Sequence, residues 1–289
     1  ARLPKPGETL HGDSYAIGLG GKGCNQAVAV RRLGGDVQLV GRLGGDAFAD
    51  MARRALHDFD VDDSAVVSDQ TGATGIGVIG VNADGENAIS VVAGANMTIS
   101  VDDIDQQAAL FSAADILLLQ LEIPLPASLH AAAMVRARGG RVILDPAPVP
   151  PGGLNDPAIF RAVDIMTPNE TETLDLVGVQ PGTSDEAAQA AKLLHDRGLV
   201  GCVIKMGARG VYYSAAEGQG YVPPFMVEAI DSVAAGDCFN GGLAFALARG
   251  DDLAAAVRFG AACGALATTR PGAAAAAPGL DDVQALLAL

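Results

Sequence analysis

The sequence predicts an α/β protein whose mostly parallel central sheet is covered by helices on both faces. Three observations carry that prediction. Apolar runs of strand length at residues 37–40, 116–119, 142–144 and 199–204 each follow a helical segment rich in Ala or Leu. Glycine (37) and proline (15) punctuate the 289-residue chain at short intervals, too scattered for a collagen-like repeat and too regular for a helical bundle. Hydrophobic residues make up 49% of the chain but aromatic residues only 4%, with no Trp, so the core must be filled mainly by small aliphatic side chains.

In chain order, residues 8–19 form a candidate β-ribbon interrupted at His11-Gly12-Asp13, and a helix is predicted over 25–32 behind a glycine-rich turn. Residues 75–81 and 87–92 are β-rich runs joined by Asn82-Ala83-Asp84-Gly85-Glu86, a composition suited to a hairpin. No helical pattern lies within these stretches. The excursions 8–19 and 74–92 are therefore expected to form a small separate sheet within a single domain spanning 1–289, with one face needing a ligand or a second subunit. Further on, Thr183 and Glu186 have capping-box spacing, and Ala190, Leu193 and Leu194 share one face before Gly198 ends the helix. Residues 273–277 are an alanine run expected to form a helical turn or loop, with its carbonyls free to act as ligands.

Charge narrows the function. The formal net charge is -15, which argues against nucleic acid or an anionic membrane as the main partner. The four cysteines (Cys24, Cys202, Cys238, Cys263) have no paired spacing and are read as free thiols in a reducing, cytoplasmic compartment. No apolar run reaches the roughly 20 residues needed to span a bilayer.

The strongest chemical signal is Asp231-Ser232-Val233-Ala234-Ala235-Gly236-Asp237-Cys238-Phe239-Asn240-Gly241-Gly242, immediately followed by an apolar stretch. Small residues ahead of a helix let a ligand oxygen reach the free N–H groups of its first turn, where the peptide dipoles favour an anion. Asp237 beside that pocket can accept a proton from a hydroxyl, or it can simply cap the helix. Gly20-Gly21-Lys22-Gly23-Cys24-Asn25-Gln26 places Lys22 and Asn25 where they can bond a polar ligand, or is only a tight turn; the lysine is followed by Gly, so it is not a Walker A loop. Asn169 and Glu172, after an apolar strand ended by Pro168, can orient hydrated Mg2+ near phosphates or can be a helix cap with a first-turn acid. Lys205-Met206-Gly207-Ala208-Arg209-Gly210 can bring backbone to a nucleotide or make a hairpin turn. Glu122 and Asp145 each follow an apolar strand, where open-sheet sites form, although Pro146 and Pro148 also give Asp145 a turn role. The four histidines show no metal-binding spacing.

Taken in order, these motifs together with Pro6-Gly7-Glu8-Thr9, Ala93-Gly94-Ala95-Asn96 and Asp145-Pro146-Ala147-Pro148 resemble the ribokinase-like carbohydrate kinases over nearly the whole chain. The resemblance implies a three-layer α/β/α sandwich with a small β-sheet lid, ATP-dependent phosphorylation, and a homodimer joined through the lids. It makes Asp237 the base and the N–H groups of Ala235, Gly236 and Asp237 the anion hole. Gly21, Lys22, Asn25 and Glu122 become sugar contacts. Asn169 and Glu172 belong to the Mg2+–phosphate network, and Lys205, Gly207 and Gly210 fall in the nucleotide loop. It also implies a K+ site built from Asp231, the Val233 carbonyl and the returning loop through Arg270, Gly272 and Ala276.

Three departures accompany the resemblance. The family begins with a further strand bearing a Gly-Ser/Asn-Asp motif that has no counterpart in residues 1–289, so this first core strand is expected ahead of residue 1. Lys205 stands where threonine is commoner, and Ala261 where some relatives place a polar neighbour of adenine. The expected reaction is phosphorylation of D-ribose at its 5-hydroxyl by ATP. The alternatives are another sugar or a nucleoside as acceptor, or a sugar-binding regulatory protein without chemistry.

Overall fold

The computed structural model describes residues 4, 7–12, 14–81 and 87–289. Helix α1 (Lys22–Arg32) leads to β1 (Gly41–Leu43), α2 (Ala47–Asp58) and β2 (Val66–Ser68), and then to strands β3 (Ile76–Val81) and β4 (Asn87–Val92). After them come α3 (Val101–Gln106), α4 (Ala108–Ala113), β5 (Ile116–Leu119), α5 (Leu125–Arg136), β6 (Arg141–Leu144), α6 (Pro157–Ala162) and β7 (Ile165–Met166). The chain continues through α7 (Glu170–Val177), α8 (Ser184–Asp196), β8 (Gly201–Lys205), β9 (Val211–Ala215) and β10 (Gly218–Val222) to α9 (Ala235–Ala248), α10 (Leu253–Ala267) and α11 (Leu280–Leu287).

The main sheet has the order β10-β9-β8-β7-β6-β5. Strands β5 to β8 are parallel, and β9 and β10 turn back antiparallel. Its parallel strands β5 to β8 are largely apolar because both of their faces are covered, with alternate residues serving opposite layers. Val142, Leu144, Cys202 and Ile204 pack with Ala131, Val135, Ala190 and Leu194 on the α5/α8 side. Ile143 and Val203 face the other way, onto Phe239, Leu243, Val257 and Phe259 of α9 and α10. Small residues bring α9 and α10 close together: a Cβ on Gly242 would lie 2.5 Å from Cys263 Sγ, and one on Gly260 would lie 2.8 Å from the Phe239 carbonyl. The sandwich and its mixed, largely parallel sheet are as the sequence predicted.

Two strand predictions differ from the structure. Residues 37–40 lie outside the main sheet; Gln38 bridges only to Asp62, Leu39 N–H donates to the Asp62 carbonyl at 3.1 Å, and the run continues into β1, which pairs in parallel with β2. Among the described residues of the predicted 8–19 ribbon there is no strand. Alternation alone did not supply that segment with a ladder partner. The 75–81 and 87–92 runs do pair antiparallel, with Ile76 opposite Val92 and Val81 opposite Asn87; the predicted turn at 82–86 and Pro6 of the 6–9 motif lie outside the described residues. The Thr183 cap forms, but Glu186 reaches back to the Gly182 N–H at 2.8 Å, one residue earlier than the spacing implied. The alanine run makes a 3-10 turn at Ala274–Ala276. All four cysteines are free thiols, and no helix among the described residues is long and apolar enough to cross a membrane.

Candidate active site

The C-terminal ends of β5, β6 and β8 and the first turns of α1, α7 and α9 converge on one polar cluster. Helix α1 begins three residues before the predicted start because Gly21, at φ 87°, turns the chain directly into Lys22. This earlier start orients both Asn25 and Gln26 towards α9. Asn25 Nδ2 donates to Asp237 Oδ2 at 2.8 Å, and Gln26 Nε2 donates to Asp237 Oδ1 at 3.1 Å. Gln120, just beyond β5, fixes Gln26 by donating to its Oε1 at 2.6 Å. Asp237 is only 5% exposed, yet two neutral amides are its hydrogen-bond partners. Burial pushes its carboxyl above the usual range, against the pull of the Lys22 ammonium.

The turn before α9 is opened by Ala234, a non-glycine residue at φ 58°. Cys238 N–H closes onto the Ala234 carbonyl at 2.9 Å. Ala235 N–H donates to the Ser232 carbonyl at 3.3 Å, so the predicted three-donor anion hole is reduced to two ready donors. Among the described residues nothing accepts from the N–H groups of Gly236 or Asp237. They stand at the positive end of a 14-residue helix, beside a carboxylate.

Glu122 accepts the Lys22 backbone N–H at 2.9 Å, and a Cβ on Gly21 would sit 3.9 Å from the same carboxylate. Burial raises the Glu122 pKa. The Lys22 ammonium turns to Asp145 Oδ2 at 3.2 Å, while Lys205 Nζ takes Asp145 Oδ1 at 3.1 Å. Burial alone would raise the Asp145 carboxyl, but the Lys205 and Lys22 ammonium groups hold it below the usual carboxylate range. Burial also works against charge on Lys22, and Asp145, Asp237 and Glu172 outweigh it to hold that group above the ordinary lysine value. Asp145, Gln26 and Gln120 are the members of this cluster that motif reading did not assign. Asp145 met the same criterion as Glu122, a carboxylate just past an apolar strand; Gln26 adjoins Asn25 in the glycine-rich motif.

Asn169 and Glu172 form a reciprocal cap on α7: Asn169 Oδ1 accepts the Glu172 N–H at 2.8 Å, and Glu172 Oε2 accepts the Asn169 N–H at 2.7 Å. Burial raises Glu172, partly offset by Lys205. The 205–210 segment makes a hairpin turn between β8 and β9. Gly210 at φ 81° is required there, since a Cβ would fall 2.3 Å from the Val222 carbonyl. On the far side of the α9 turn, Asp231 ties two loops together, accepting Val233 N–H at 3.0 Å and Gly272 N–H at 2.9 Å. Arg270 donates from its guanidinium to Asp282 at 2.8 Å and to the Ala277 carbonyl at 3.5 Å, so its backbone carbonyl is the oxygen it can offer a cation, and Ala276 is buried in the 3-10 turn.

Comparison with known proteins agrees with this geometry. The family described as pfkB family carbohydrate kinase matches residues 1–279. The chain is 38% identical over 274 residues to ribokinase of Haemophilus influenzae, covering 95% of this chain and 89% of the relative. It is 33% identical over 290 residues to deoxyribokinase of Salmonella typhi, covering 100% and 94%. The structure of Arabidopsis thaliana ribokinase complexed with ribose and ATP superposes with a TM-score of 0.87 at 32% identity, covering 100% of this chain and 93% of that one. A buried carboxylate at an open helix N-terminus, set in this sandwich, thus accompanies a match that runs almost end to end: the chain belongs to the pfkB family of ATP-dependent carbohydrate kinases.

Proposed function

We propose that this kinase phosphorylates D-ribose at its 5-hydroxyl, giving ribose 5-phosphate and ADP. The observation that carries the chemistry is the placement of Asp237 beside the unpartnered N–H groups of Gly236 and Asp237. The 5-hydroxyl oxygen attacks the terminal phosphorus of ATP as its proton passes to an Asp237 carboxylate oxygen. The bond from that phosphorus to the bridging oxygen breaks, and ADP leaves with the electron pair. The two amides receive the negative charge that builds on the transferred group. Asn25 supports a sugar contact because its Oδ1 is buried without a partner among the described residues; Gly21, Lys22 and Glu122 border the same space.

The side-chain oxygens of Glu172 and Asn169, paired at the first turn of α7, suit a hydrated magnesium ion. When bound, Mg2+ supplies positive charge to the nucleotide phosphates. The Asp231 carboxylate and the carbonyls of Val233, Arg270, Gly272 and Ala276 are likewise all oxygen, the chemistry a K+ ion takes; there it would brace the turn that presents the amides. Gly207 and Gly210 border the nucleotide. The β3/β4 pair, with Val78 and Val92 on one face and each more than half exposed, supports pairing of two lids in a homodimer. The free thiols support a cytoplasmic setting.

The second reading is 2-deoxy-D-ribose as acceptor, favoured by the deoxyribokinase relative that spans the whole chain. ADP release measured with ATP, Mg2+ and K+ across D-ribose, 2-deoxy-D-ribose and D-fructose separates them. The proposal expects the highest kcat/KM with D-ribose. A higher value for either other sugar overturns the ribose assignment.

A further inference from the structure

Asp145 lies just beyond β6 and Lys205 ends β8, two strands away in the sheet, yet their side chains meet beneath the first turn of α9. Asp145 is 1% exposed, and it accepts from both Lys205 and Lys22, with Gln26 Nε2 a third donor at 3.4 Å. A buried ion pair of this kind is weak as a stabilising device, because desolvation offsets most of its attraction. Its geometry has another consequence. An ammonium carries three N–H donors, and Asp145 is the one hydrogen-bond acceptor for Lys205 Nζ among the described residues. The remaining donors sit against α9: a Cβ on Gly236 would lie 3.5 Å from Nζ. The same turn holds the two amides without acceptors.

We propose that Lys205 is a catalytic residue, donating from its ammonium to the terminal phosphoryl group of ATP alongside the Gly236 and Asp237 amides, and that Asp145 is the positioning residue that holds it there. The inference rests on the kinase reading above. Lys205 adds a charged donor to the oxygens of the transferring group, while the proton of the sugar goes to Asp237. A fixed ammonium in a site closed to water stabilises that charge more than a neutral hydroxyl at the same position can. Lys22, on the opposite carboxylate oxygen, is held in the same way, so Asp145 spaces two cations around the path of the phosphate.

The discriminating experiment is calorimetric titration of Lys205→Met and the unaltered protein with ADP and with the imido-bridged, non-hydrolysable ATP analogue, both with Mg2+. Contact with the terminal phosphoryl group predicts that the analogue loses roughly 10- to 100-fold in affinity while ADP changes less than about threefold. Equal losses for both nucleotides, or none, overturn the proposal, because a counter-ion of Asp145 alone has no reason to distinguish them. If Lys205→Met does not fold, Asp145→Asn/Lys205→Met removes the buried charge together with its partner and is read by the same ratio. Absence of ADP formation by the unaltered protein with every sugar would instead defeat the kinase reading, which separates the two failures.

Discussion

Asn25 donates its side-chain N–H to Asp237 across 2.8 Å, while its own side-chain carbonyl oxygen, buried beside that carboxylate, has no hydrogen-bond partner among the described residues. In the proposed mechanism one amide therefore orients the base and leaves an acceptor for the sugar. An orphaned buried acceptor is costly unless a ligand fills it. Asn25→Ala is expected to lower kcat/KM for the sugar by roughly 10- to 100-fold, the worth of one hydrogen bond to a charged group plus one sugar contact. The KM for ATP should move little. Initial-rate kinetics with each substrate varied in turn check this; an effect confined to ATP would assign Asn25 elsewhere.

The acid limb of the pH profile follows from burial. In the proposed mechanism Asp237 must be ionised to accept the proton, and desolvation holds its pKa above the usual carboxylate value. Activity should fall with decreasing pH while ordinary surface carboxylates are still ionised, and Lys22, held above the normal lysine value, stays charged across the same range. The corresponding stability term has the opposite sense. A carboxyl whose folded pKa is raised favours the folded state below its unfolded pKa, and loses that contribution as pH rises through the folded value. Profiles of kcat/KM against pH test the first point; an inflection at or below the ordinary carboxylate pKa would contradict it.

Much of this site was legible in the sequence, for a physical reason. Small residues leading into an apolar helix mark an open N-terminus, and Asp237 falls inside that first turn wherever the helix packs. The paired lysines were not legible. Lys205 meets Asp145 only because β7 separates β6 from β8 in the sheet, a fact of strand order that no local pattern encodes. Gln26 was lost through a boundary: with α1 starting at Lys22, consecutive amides at 25 and 26 both reach Asp237. The 8–19 ribbon illustrates the converse, since alternating residues become a strand only when another strand supplies hydrogen bonds.

Monovalent cation dependence tests the Asp231 loop. Asp231→Ala removes the carboxylate that joins Val233 to Gly272. Because the turn presenting the amides must be held to within an ångström, kcat is expected to fall by roughly 10²-fold and to lose its response when K+ replaces tetramethylammonium. Full K+ activation in the variant would remove Asp231 from the cation site.

Lid pairing makes a separate prediction. Val78 and Val92 lie on one face of β3 and β4 with more than half their surface exposed. Val78→Asp combined with Val92→Asp should convert a dimer into a monomer in sedimentation equilibrium at micromolar concentration, through charge placed in a desolvated contact. An unaltered protein that is already monomeric there contradicts the pairing.

The most direct measurement is a single-turnover assay of Asp237→Asn with ATP, Mg2+ and saturating D-ribose, run beside calorimetric ATP binding. If the carboxylate takes the proton of the sugar, phosphoryl transfer falls by about 10²- to 10⁴-fold while nucleotide affinity and thermal stability stay close to those of the unaltered protein. Transfer at the original rate would show that Asp237 is not the base, and the mechanism built around it would be wrong.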